Sequence, residues 1–88
     1  MNQEIKVLVH YMPANQPFKT EATPATTVGQ IKTAALGAFN LTEDASKIYK
    51  LFHSKLELTN PNQLIGEIAK HENALNLKLE EVLVQGAR

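Results

Sequence analysis

The sequence contains no cysteine. That absence removes a disulfide framework, a thiolate nucleophile and a cysteine-ligated zinc site. A chain of 88 residues buries only about 60 to 65% of its unfolded surface, so without a staple it depends on a well-organised apolar core. Net charge is missing too: nine Lys and Arg balance nine Asp and Glu, scattered with no basic stripe. This argues against nucleic-acid binding through phosphates. Aromatics are few (Tyr11, Phe18, Phe39, Tyr49 and Phe52) and do not alternate with basic residues as a base-stacking platform would. No run approaches the roughly 20 apolar residues that span a bilayer. Met1-Asn2-Gln3-Glu4 lacks the positive charge that opens a secretory signal. The expectation is one cytoplasmic, monomeric domain with neither nucleic acid nor membrane as partner.

Catalytic patterns are missing as well. His10, His53 and His71 lie on separate segments, without the spacing that would bring two onto one helix face as zinc ligands. Ser46 and Ser54 lack a Gly-x-Ser-x-Gly setting. Gly29 and Gly37 have neither the spacing nor the following Lys-Ser/Thr of a phosphate loop. Glu43-Asp44 and Glu80-Glu81 are adjacent pairs, which point apart instead of flanking a bond. No enzyme activity, metal or cofactor is expected.

What is present is alternation. In Ile5–Tyr11, Ile5, Val7 and Val9 share a face with period two. A turn with Pro13, Asn15 and Pro17 leads to Phe18–Thr23, where Phe18, Thr20 and Ala22 face one way. Pro24 ends that strand. Thr27 with Gln30 makes a capping box, and Val28, Ile31, Ala35 and Ala38 or Phe39 follow at helical spacing. The pattern predicts a helix over 28–39, with Asn40 taking the left-handed conformation that ends it. Strands are predicted over 48–53, 56–58 and 74–79, with one packed helical turn over 63–68. Tyr49 and Leu51 then point to the core and Phe52 points out. The order gives an α+β sandwich in which the helix covers one face of a mixed sheet and the last strand runs parallel to the first at its centre.

The stretches "PATTVGQIK", "AFNL", "KLFHSKLEL" and "QLIGEIAKHENALNLKL", in this order and spacing, resemble the ubiquitin-like β-grasp superfamily. The overall likeness is to a bacterial ubiquitin-like protein. The resemblance implies an α+β fold with a mixed four- to five-stranded sheet on one helix. It places the domain over residues 1–80 and a C-terminal tail over 81–88.

The resemblance implies a covalent modifier whose C-terminal carboxylate is activated at Gly86, with a non-conjugated interaction module as the alternative and a sulfur carrier as a third option. A modifier needs a small residue at an activated C-terminus, because a side chain would obstruct the carbonyl. Loss of Ala87-Arg88 would expose Gly86, with Glu80 to Gln85 as an extended arm. An E1-like activating enzyme, a carrier and a processing peptidase would then be partners. The tail carries Glu80-Glu81 where the family has basic residues and has one Gly instead of two, which disfavours a sulfur carrier. The alternative is that Val82-Leu83-Val84 prolongs the last strand. For an interaction module the resemblance places the partner-binding face at Met12, Phe52, Asn76 and Lys78, and Leu8 lies on the same outward face.

Overall fold

The computed structural model describes residues 4–84. The alternating segments form a hairpin of β1 (Ile5–Tyr11) and β2 (Phe18–Ala22), antiparallel, with Ile5 opposite Ala22 and Val9 opposite Phe18. Helix α1 (Val28–Ala38) begins at the expected capping box. Thr27 N–H donates to Gln30 Oε1 at 2.9 Å, and Gln30 N–H donates to Thr27 Oγ1 at 3.2 Å. Two amide donors left over at the helix start are thereby satisfied. The helix stops through a Schellman motif. Asn40 takes φ 58°, Leu41 N–H reaches Leu36 O at 2.8 Å, and Asn40 N–H reaches Gly37 O at 3.2 Å. Leu36 and Leu41 both pack against the core, the apolar contact that accompanies this ending.

β3 (Lys47–His53) turns at Ser54 into the two-residue β4 (Leu56–Glu57). Helix α2 (Ile65–Ala69) then leads to β5 (Ala74–Leu83). One mixed sheet results, in the order β2-β1-β5-β3-β4. β5 lies parallel to β1 and antiparallel to β3. Val7, Val9, Leu75, Leu77, Leu79, Tyr49 and Leu51 turn inward and bury against Val28, Ile31 and Ala35 of α1, with Ile65 and Ala69 of α2 completing the core.

The boundaries differ from expectation where tertiary partners decide them. β3 starts at Lys47, one residue early, because Asp44 N–H bonds Lys47 O at 2.9 Å while Asp44 Oδ1 accepts from Ser46 N and Oγ at 2.8 Å each. The helical turn expected over 63–68 is the five-residue helix Ile65–Ala69, which starts two residues later and ends one later. β5 runs to Leu83, four residues past the expected Leu79 and into the segment assigned to the tail, because Lys47 to Lys50 pair with Leu83 to Glu80.

Between α1 and β3, Glu43 Oε2 accepts from Tyr49 N–H at 2.8 Å and pairs with Lys32 Nζ at 3.0 Å. Partial burial pushes the Glu43 pKa up, but the Tyr49 amide and Lys32 together outweigh it and hold the carboxyl below 4.5. A depressed carboxylate stabilises the fold fully above its unfolded pKa and loses that contribution as pH falls through the folded one. Glu43→Gln is therefore expected to melt below the wild type near neutrality. The gap should close as pH falls through the depressed pKa and the wild-type carboxylate protonates. Melting curves over that fall in pH check it.

Lys70 follows α2 with φ 58° and ψ −111°, and Glu72 N–H closes the turn on Ala69 O at 3.0 Å. Glycine takes those angles freely, whereas a Cβ there is strained by about 1–3 kcal/mol. Lys70→Gly is expected to stabilise by about 1 kcal/mol, read as a rise of about 4–8 °C in Tm.

Candidate functional site

The face of the sheet turned away from α1 carries the alternate residues of each strand. One cross-strand row runs His10, Lys78, Phe52, Glu57, since Lys78 lies opposite both His10 and Phe52, and Glu57 is the next partner of Phe52. Phe52 is half-buried, on the side opposite the fully buried Tyr49 and Leu51. The β1–β2 turn supplies Met12, 83% exposed. Asn76 Oδ1 accepts from His10 Nε2 at 3.0 Å, fixing both side chains at the rim.

Together these residues line an open depression of about 410 Å³ that includes His10, Met12, Phe52, Asn76 and Lys78. Four of the five residues expected on the partner-binding face therefore converge. Leu8 is on the same outward face, opposite Asn76 in the ladder, and borders a second depression with Lys6, Lys19 and Glu21. The outward position of His10 in β1 and a parallel last strand beside it follow from the sequence pattern; the register that brings Asn76 within hydrogen-bond reach of His10 does not.

The surrounding charges are locally balanced. Lys78 pairs with Glu80 at 3.0 Å and Lys50 with Glu57 at 3.5 Å. Such exposed pairs add little stability. Their consequence is a rim without excess charge around an aromatic and a thioether, surfaces that take an apolar anchor from a partner. Among the described residues no group of three His, Asp or Glu is placed to hold a metal.

Gly86 lies outside the described residues. The extended arm expected over Glu80 to Gln85 is altered within them. Glu80 to Leu83 belong to the β3–β5 ladder, and Val84 N–H continues it to Ser46 O at 2.8 Å. The reason is that β3 begins early enough to give these residues a partner.

A parallel pair of chain-end strands at the centre of a mixed sheet, with one helix across a single face, defines the architecture. Comparison with solved structures agrees. A Caldiarchaeum subterraneum ubiquitin is similar over 94% of this chain and 99% of that one, at 18% identity and TM-score 0.74. The chain has the ubiquitin-like β-grasp fold. The same fold relates it to Trypanosoma brucei ATG8, at 13% identity over 96% of this chain and 78% of that one, TM-score 0.69. The C-terminal ubiquitin-like domain of mouse tubulin-specific chaperone e is similar at 16% identity over 98% and 94%, TM-score 0.66. No family model and no curated protein matches the chain. At these identities the ubiquitin-like likeness concerns the fold, and function has to be argued from the surface.

Proposed function

We propose that this ubiquitin-like chain is a protein-interaction module that docks a partner protein on the outer face of its sheet. The observation that carries the reading is the convergence of Met12, Phe52, Asn76, Lys78 and His10 on one open depression. Phe52 is the anchor, Met12 an adaptable apolar flank, and His10, Asn76 and Lys78 provide polar contacts at the rim. Aromatic residues at the centre of such a patch carry a disproportionate share of binding energy. Phe52→Ala is expected to weaken the partner about 30-fold or more, a loss of about 2 kcal/mol or more. The Tm should change little, because the side chain is not in the core. The check is cross-linking in native cells with wild type and variant, followed by titration of the recovered partner. Equal capture by both would refute the reading.

A second reading, covalent modification through Gly86, draws on the similarity to an archaeal ubiquitin along 99% of that chain. Gly86 also follows Val84, whose N–H is bonded to Ser46 O and which is the last of the described residues, by two positions. It requires an E1-like activating enzyme, a carrier and a peptidase that cleaves after Gly86. Intact mass from native cells separates the two: a species ending at Gly86, or adducts of higher mass, supports conjugation. Adducts that persist in Gly86→Trp would count against Gly86 as the acyl donor.

A further inference from the structure

We infer that the chain forms a weak two-fold dimer by pairing the free edge of β5 with the same edge of a second copy. The argument starts from where the ladders end. β1 accompanies β5 only as far as Tyr11 opposite Leu79, whereas β3 accompanies it to Lys47 opposite Leu83. Beyond Leu79, β5 therefore has a neighbour on one side only, among the described residues. Backbone amides alternate between the two sides of a strand. Val84 N–H points to β3, at Ser46 O. Glu81 and Leu83 consequently turn their N–H and C=O groups to the open side. The exposed side chains there include Leu83 at 65% and Val84 at 40%. A short apolar stretch with open backbone groups is a template for strand addition.

The edge is complementary to itself in one register. Antiparallel strands bond through residues whose groups face each other. Here these are Glu81 and Leu83, so each Glu81 meets the other copy's Leu83 and about four hydrogen bonds form. The two-fold axis then passes between the two Val82 residues, as it must in an isologous contact. Tyr11 already occupies the place beside Leu79, so the seat takes residues 80–84 of the second copy and no longer segment.

Charge is compatible with a second copy as the occupant. The chain has no net charge, so two copies meet without overall repulsion. Glu80 is paired with its own Lys78 at 3.0 Å. Glu81 of one copy comes beside Leu83 of the other, whose β3 neighbour is Lys47, about 9.6 Å away by two strand spacings and within reach of a long side chain. A contact this small belongs to the transient class.

The absence of cysteine makes the test direct. In Val82→Cys the introduced thiols face each other across the axis at a Cα separation of about 4.5 Å, inside the range that a disulfide spans. With diamide as oxidant, this variant should form covalent dimer at least about tenfold faster than Met12→Cys, whose exposed thiol meets another only by diffusion. Adding Leu83→Pro removes an edge N–H that β3 does not use, and should abolish the advantage while Tm and circular dichroism hold. Sedimentation equilibrium of the unmodified chain should show mass above 9.7 kDa as concentration approaches about 1 mM. The inference fails if the two cysteine variants cross-link at equal rates. It also fails if Leu83→Pro leaves the rate unchanged, or if the unmodified chain stays monomeric throughout. Phe52→Ala should leave the cross-linking rate unchanged, which keeps this edge distinct from the proposed docking face.

Discussion

Leu77→Ala is expected to remove a large part of the stability of this protein. Leu77 is 1% exposed and sits in β5, the central strand, directly opposite Val9 of β1. Truncating a buried leucine costs about 2–5 kcal/mol, since the lost transfer energy adds to that of the cavity left behind. A chain of this size has a total stability of roughly 4–13 kcal/mol, so the variant approaches the unfolding threshold. The Tm should fall by roughly 8–40 °C, taking about 4–8 °C per kcal/mol. Leu83→Ala provides the internal control. It is the same substitution in the same strand, at a position 65% exposed, and should stay within about 0.5 kcal/mol of wild type. Urea denaturation of both variants checks the contrast. Equal losses would mean that burial along β5 is not as described.

Gly66→Ala is expected to destabilise by about 1–3 kcal/mol, although alanine is ordinarily the better helix former. A Cβ at Gly66 would lie 2.7 Å from Pro24 Cβ and 2.9 Å from Pro24 Cα. The backbone there cannot withdraw cheaply. Ile65 N–H donates to Thr26 O at 2.7 Å, and Gly66 N–H donates to Pro24 O at 3.1 Å. These bonds clamp the start of α2 to the segment between β2 and α1. Either α2 moves off, exposing Ile65 and Ala69, or the Pro24 segment shifts and disturbs the cap at Thr27. Gly37→Ala is the control, because its Cβ would meet nothing within 4 Å and α1 should gain up to about 1 kcal/mol. Opposite signs for two Gly→Ala changes in helices would separate close approach from helix propensity.

Much of the fold was legible because local rules and the final structure agree. Ile5, Val7 and Val9 read as one face and are buried, as are Leu75, Leu77 and Leu79. The capping box at Thr27 and the left-handed Asn40 were visible as residue types and occur as such. Phe52 was placed outward by counting from Tyr49 and Leu51, and alternation held along β3. The outward positions that make up the proposed docking face were therefore legible, since they follow from period two once inward ones are known. Where the reading fell short, the missing information was non-local. The alternation predicts a last strand that ends at Leu79, which assigns Glu80-Glu81 to the extended arm. Their side chains tolerate a ladder position here because Glu80 is opposite Lys50 and bonds Lys78, neighbours that appear only once the strands pair.

The sequence alone determined which residues face inward, where α1 starts and stops, and that no disulfide framework can form. Those properties depend on side chains within a few positions of one another, where the period of a strand or a turn of helix suffices. Tertiary structure decided how far β5 runs, how close α2 approaches Pro24, and which outward residues share a depression. Each of these depends on a partner many residues away in the chain, and a backbone group or side chain takes its place only when that partner arrives beside it.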